Sequence, residues 1–413
     1  MDEPRSSPQP PMAVASDEPM PHGHGHDVPP SVHPSAGRYL WTAVAVLGAV
    51  TLLALIVLWP DGGDDTTDPL LLDADTISAT VVAIELRPCS YSLVDRCRWV
   101  DFLMEDGPFV GDIGSIEEAT ADGFLEEGEA ILVTWFPVGD GDVAFAFYDY
   151  QRGGSMIWLS ALFAVSVLVL GRWRGLGAIA GLAFSMLIIV VFTLPAILDG
   201  SNALVVALAT ASAIAFAALF LAHGFGLATT VALVSTFSSL AITAVLAWVF
   251  VGATHLTGLS DETSVMLGGL ADGIDARGIL LAGIVIGALG VLDDVTVTQV
   301  SAVWELKRAR PELSVSELVR PALRIGRDHI SSTVNTLFLA YAGAALPLLL
   351  LFTEAGQGIR GVVTRELVAT EVVRALVGSI GLVAAVPIST WLAAVVVTGS
   401  DSDAPAPEAP AST

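Results

Sequence analysis

Positive charge and cysteine are what this chain of 413 residues has least of: 18 Lys and Arg stand against 43 Asp and Glu, and there are two cysteines. So little positive charge argues against nucleic acid as a partner, because an acidic surface repels phosphate backbones, whereas cations or a basic protein remain acceptable. Charge of either sign is short as well. Only 15% of residues are charged and 54% are hydrophobic, with a mean hydropathy of +0.70. That excludes a soluble chain of this length and points to a lipid bilayer.

What acidity there is collects in one block. Residues 61–155 hold four Arg against 21 Asp and Glu, a balance of −17 within the chain's −25. Residues 1–37 hold nine Pro, many Ser and the run His22-Gly23-His24-Gly25-His26-Asp27, with almost nothing to bury, and read as a disordered cytoplasmic tail. The alternating histidines have no cysteine or second ligand cluster beside them, so no metal site and no cofactor is assigned. Leu40 to Trp59 carries no charge and is long enough to cross ~30 Å of hydrocarbon as a helix. Its late start and the Pro60-Asp61 that follow favour a retained anchor, assigned to 38–59, over a cleaved signal.

Residues 60–155 are expected to form an acidic extracytoplasmic β domain. Short β-rich runs at 77–86, 98–104, 109–116, 130–136 and 143–148, separated by Gly, Asp and Pro, predict five strands. An OB-like barrel is the preferred form, because Gly111 falls mid-run where it would bend a closing sheet; a plain β-sandwich or meander fits the same runs. Cys89 and Cys97 lie between the first two runs and would staple that connection in an oxidising compartment.

Seven further apolar segments, 156–170, 176–198, 203–222, 227–251, 279–303, 330–352 and 372–398, bring the expected total to about eight transmembrane helices. The fold class is therefore an α-helical integral membrane protein with a seven-helix domain at 156–398, followed by a second disordered tail at 399–413. Arg172, Arg174, Lys307, Arg308, Arg310, Arg320, Arg324 and Arg327 fall on one side, against Arg277, Arg360, Arg365 and Arg374 on the other. The richer side is assigned to the cytoplasm, which places both termini inside and the β domain outside a bacterial cell membrane.

One segment breaks the apolar pattern. Asp293 and Asp294 sit side by side in a predicted helix, roughly 20 Å of helical rise before Lys307, and so near the bilayer midplane. Placing an acid there costs on the order of 2.5–3.5 kcal/mol even on the lenient insertion scale, so each needs a partner, a proton or a wet path. Neighbouring helix positions diverge by about 100°, so the two acids face different surroundings. Asp294 aligns with Thr298, and Asp293 with Thr296; Gln299 follows one turn on. Gly283, Gly287 and Gly290 precede the acids at helical spacing and predict close approach of the next span. That span opens with Ser331-Ser332-Thr333-Val334-Asn335, and Asn335, sharing a face with Ser331, is the expected hydrogen-bonding partner of the carboxylates. The alternative is that both acids are protonated and only hold helices together. Between the two spans, 305–328 reads as an amphipathic interfacial hairpin interrupted by Pro311 and Pro321.

The run from Gly287 to Trp304, the basic loop after it and the Ser-Ser-Thr-x-Asn-Thr opening resemble the YibE/F family of bacterial membrane proteins. The likeness extends over roughly residues 70–398. It implies an anchor helix, a small extracytoplasmic β domain and a multi-helix block, and it implies no reaction. Gly290-Val291-Leu292-Asp293-Asp294-Val295 is also similar to the Gly-rich helix of SecD, SecF and the resistance-nodulation-division transporters. There a carboxylate helps relay protons, which would make Asp293 and Asp294 the relay here. Those proteins carry large, often duplicated outer domains, whereas this chain has one small one, so a homo-oligomer or a second membrane subunit is implied.

The leading functional expectation is a proton-linked transporter or export accessory using the Asp pair. A non-transporting scaffold, whose outer domain binds another envelope protein, is the second. An enzyme is not expected: intramembrane aspartyl proteolysis needs aspartates on two helices, and no Ser and His fall at matching depth, since His223 and His255 lie at span ends.

Overall fold

The computed structural model of the protein describes residues 34–60, 76–89, 96–118, 124–139, 142–259, 275–354 and 359–399. The expected tails at 1–37 and 399–413, with the histidine run, lie outside these residues apart from 34–37 and Gly399. Pro34 already opens the first helix, α1 (Pro34–Val57).

Five strands follow: β1 (Thr76–Arg87), β2 (Cys97–Met104), β3 (Ile113–Glu118), β4 (Ala130–Gly139) and β5 (Asp142–Tyr150). All pairings are antiparallel, in the order β3-β2-β1-β4-β5. In β1, alternation sends Ile77, Ala79 and Val81 into the core. An irregularity between Val81 and Ala83 then shifts its register. Thr76–Thr80 pair with β4, while Ala79–Arg87 pair with β2, so one bent strand serves two neighbours. The core is built on Phe102, Leu125, Ile131 and Val133, all fully buried, with Phe145 edge-on to Phe102 at 5.7 Å.

The described strands form one open sheet. Among the described residues no ladder joins β3 to β5, and the sheet is open along that seam. Gly111 is not within a strand; it has φ +89° in the turn before β3, where the left-handed conformation requires a glycine. Gly114, inside β3, is the glycine that matters for packing. A Cβ there would fall 2.6 Å from the Phe102 ring and 3.2 Å from Phe145. The sulfurs of Cys89 and Cys97 are 1.95 Å apart and tie the loop between β1 and β2 at its base.

Tyr150 ends β5, and Gly153 starts α2 (Gly153–Leu198), 46 residues that pass through a π-helical turn at Ile189–Thr193. Then come α3 (Ala203–His223), α4 (Leu227–Ala253), α5 (Ala276–Ala309), α6 (Val315–Ala344), α7 (Leu346–Glu354), α8 (Ile359–Val363) and α9 (Glu366–Thr398). Six helices, α1 to α5 and α9, are long and apolar enough to cross a membrane, and the pair α6–α7, bent by 60°, makes up to seven. That is not the expected eight, because 156–170 and 176–198 fall in the single stretch α2. Arg172 interrupts that stretch with φ 52° and ψ −128°. Straight helix would separate residues 167 and 175 by about 12 Å, yet a Cβ on Gly175 would lie 2.5 Å from the Val167 carbonyl oxygen. The chain therefore turns back sharply at Arg172.

The 305–328 stretch, expected as an amphipathic hairpin, is a helix–turn–helix connection. It forms the last turns of α5 and the first of α6, joined at residues 310–314. Lys307 Nζ donates to the carbonyls of Pro311 and Leu313 across this turn. Ser314 and Glu317 form a capping box that starts α6, and Pro321 is accommodated inside the helix. The apolar stripe of this segment is buried in the bundle, with Leu318 and Ala322 fully enclosed. Within the bundle α5 packs chiefly on α4, α9 and α3 and only lightly on α6. We expect Phe102→Ala to destabilise the β domain by about 3–5 kcal/mol, the cost of emptying a full aromatic site. Denaturant-dependent proteolysis of the full-length protein checks this, with the helices resisting cleavage as before.

Candidate intramembrane carboxylate site

Asp293 and Asp294 fall near the midpoint of α5, and the turn of the helix gives them opposite fates. Asp293 points into a groove of about 380 Å³ between α2, α3 and α5, whose lining includes Gly181, Ser185, Ala218, His223 and Gly290. Its Oδ1 is buried and has no hydrogen-bond partner. Asp294 is 72% exposed, and its Oδ2 lies 4.0 Å from Nε2 of His329 on α6. That His329 nitrogen is itself buried with no hydrogen-bond partner.

Asn335 is not the partner. It and Ser331 are exposed on α6, and among the described residues neither makes a hydrogen bond to either carboxylate. The reason is register. Gln299 Nε2 donates to the Ala322 carbonyl at 2.8 Å and to Thr390 Oγ1 on α9 at 2.7 Å. This fixes α6 so that His329 is level with Asp294, and Asn335 lies six residues, or about 9 Å of rise, beyond it.

The other polar neighbours serve packing. Thr296 Oγ1 is 2.7 Å from Thr236 Oγ1 on α4, and Thr298 Oγ1 returns to the Asp294 carbonyl at 2.7 Å. The glycines do not admit a close-packed helix as expected. A Cβ on Gly283 would come within 4.0 Å of the Arg374 guanidinium, one on Gly287 within 3.6 Å of the Tyr341 hydroxyl, and one on Gly290 would meet nothing. Polar side chains of α9 and α6 take the room beside the first two, and Gly290 leaves the groove open.

A second cavity, of about 400 Å³, adjoins the groove at the end of the bundle where α3 stops. Arg174, Thr229, Ser301, Trp304, Glu305 and Arg308 line it, and His223 belongs to both walls. His223 was expected only at a span end; it closes α3 at the end carrying Arg174 and Arg308. Among the described residues, the one His/Cys/Asp/Glu cluster with metal-ligand spacing is Cys89, Cys97 and Glu117, and its sulfurs are joined to each other. Asp293 and His223 thus line one groove, and His329 lies beside Asp294 on α6.

Fold and site together define a multi-pass helical membrane protein that keeps an under-bonded carboxylate in its bundle. The chain belongs to the YibE/F-like protein family, which it matches over residues 159–399, from the second turn of α2 to the end of α9. The anchor and the sheet lie outside the match, and the likeness to SecD, SecF and the resistance-nodulation-division transporters is no part of it. No curated protein and no solved structure matches the chain.

Gln299→Leu leaves the Ala322 carbonyl and the Thr390 hydroxyl without their shared donor, at a cost of about 1–3 kcal/mol. Asn335→Ala, on an exposed face, should stay within about 0.5 kcal/mol of the parent. Thermal unfolding of the two purified variants in the same detergent checks the contrast.

Proposed function

We propose that this protein is a proton-linked transporter or export accessory in which Asp293 exchanges protons and Asp294, beside His329, takes part in the relay. The observation that carries the reading is the buried Asp293 Oδ1 without a hydrogen-bond partner, facing a groove that meets the second cavity at His223. An acid retained in an apolar bundle without a bond to hold it is poorly explained by packing alone. Cofactor chemistry and enzymatic turnover are not part of the proposal.

The proposed setting is a bacterial cell membrane crossed eight times, with both termini cytoplasmic. The reversal at Arg172 supports counting α2 as two crossings, and the excess of Arg and Lys at the Arg174–Arg308 end supports its cytoplasmic placement. An OB-like barrel outside the membrane is supported by the strand order, which becomes that of the closed OB fold once β3 meets β5. Phe102 and Phe145 already meet over Gly114 at that seam. The Cys89–Cys97 link suits an oxidising compartment. With one small outer domain per chain, the working unit is a homo-oligomer or a pair with a second membrane subunit, and the β domain is the surface for another envelope protein.

A second reading, a scaffold without transport, is favoured by one observation: Thr296 and Gln299, next to the acids, are both spent on joining helices. Proton flux into vesicles carrying the full-length protein, driven by an imposed pH gradient and read with an entrapped dye, separates the two. Asp293→Asn should lower the flux on the order of a hundredfold, as expected for loss of a positioned proton-transfer group, at unchanged membrane abundance. Flux equal to the parent's, or a loss of abundance that accounts for the lost flux, supports the scaffold.

A further inference from the structure

Proton exchange does not account for the chemistry of the second cavity. Among the described residues Arg174 has no ion pair or hydrogen bond, whereas Arg308 holds Glu305, the cavity's one acid, at 2.6 Å. His223 adds an imidazole to the lining. Thr229 is only 6% exposed, lines the cavity and makes no hydrogen bond among the described residues. That is unusual in this bundle, where helix hydroxyls return to the carbonyl four residues back, as the next residue, Thr230, does to Gly226. Thr229 lies in the first turn of α4, whose Gly226 cap has no side chain to satisfy the free backbone amides. A free hydroxyl and two guanidinium groups around one space are a donor set for a phosphate.

The cavity does not end in water alone. It shares His223 with the groove, where Ala178, Leu182, Ile189, Ile214, Ala218 and Ile286 present apolar surface beside Asp293. Leu182 is 54% exposed, so the groove opens sideways toward the lipid-facing surface of α2. Trp173 and Phe225, 86% and 81% exposed, and the cavity's own Trp304 collect at this same end, as aromatics do at a membrane–water boundary. A cationic pocket at the boundary joined to an apolar groove running into the bilayer is complementary to an amphiphile, not to a free ion.

We infer that this recess is a binding site for an anionic phospholipid. Its phosphate lies among Arg174, Arg308, His223 and the Thr229 hydroxyl, and an acyl chain lies along the groove between α2 and α3. The assignment does not rest on proton transport, since none of the headgroup ligands is an acid of the relay.

The test uses the full-length protein purified in detergent, with phosphatidylglycerol and phosphatidylcholine of matched chains supplied equally and bound lipid counted by native mass spectrometry. Phosphatidylglycerol should be retained about tenfold over phosphatidylcholine, whose choline cation the two guanidinium groups repel. Arg174→Gln and Arg308→Gln should each reduce that preference severalfold, and Arg174→Lys should keep most of it. Leu182→Trp, which fills the groove from its exposed side, should lower retention of both lipids. Size-exclusion profiles and helical circular dichroism equal to the parent's certify each variant as folded. Equal retention of the two lipids by the parent, or an unchanged preference in both glutamine variants, overturns the site. Displacement of phosphatidylglycerol by millimolar inorganic phosphate, with Leu182→Trp without effect, assigns the cavity to a soluble anion and overturns the lipid. Proton flux in Asp293→Asn is read separately, so either proposal can fail alone.

Discussion

A polar atom taken out of water inside an apolar bundle needs a partner within the protein, and many hydroxyls of the helical domain find one by the shortest route. Ser235, Ser239, Thr243 and Ser389 each donate to the carbonyl four residues back, which silences the hydroxyl without leaving the helix. Three links then run between helices: Thr193 with Thr210, Thr236 with Thr296, and Gln299 with Ala322 and Thr390. They set the register of α2 on α3, α4 on α5, and α6 and α9 on α5. Asp293 Oδ1 on α5 and His329 Nε2 on α6 stand outside this economy, as do Thr370 Oγ1 and Arg374 Nε on α9.

Small residues decide where the recess can exist. Gly177 and Gly181 let α2 approach α3 so closely that a Cβ would overlap the Leu221 carbonyl at the first and touch the Ala218 backbone at the second. Gly381 does the same for α9 against Thr243 of α4. Contacts this tight fix the helix axes, and a fixed pair of axes cannot close a gap elsewhere by sliding. Gly290 supplies the gap: with nothing within 4 Å of where its Cβ would be, it leaves open the wall of the groove facing α2 and α3, next to Asp293.

Much of the architecture was legible because it depends on local periodicity. Ile77, Ala79 and Val81 alternate, so β1 was placed to within a residue at each end, and Leu40 to Trp59 is uncharged, so α1 was clear. The third strand was misplaced because Phe109 and Val110 look β-rich but belong to a short 3₁₀ turn and the turn after it, closed by the Gly111 amide on the Met104 carbonyl. The Asp pair was legible as an exception to hydropathy, but its surroundings were not. Sequence order suggests that α5 meets the following span, whereas α5 is packed mainly on α4, α9 and α3, and Thr236 and Thr390 are distant in the chain. No spacing within α5 could reveal that Gln299 is a staple while Gly290 is a vacancy.

The carboxylate and the basic cavity meet at His223, and this makes the two proposals physically connected although separately testable. An anionic headgroup beside His223 changes the field at Asp293, so its binding and the protonation of the bundle's acid are linked, and linkage is reciprocal: whatever the lipid does to the proton, the proton does to the lipid. At low dielectric such coupling is not screened as it would be at a wet surface. Arg174 and Arg308 against Glu305 leave the cavity lining net cationic, and a bound phosphate would neutralise it.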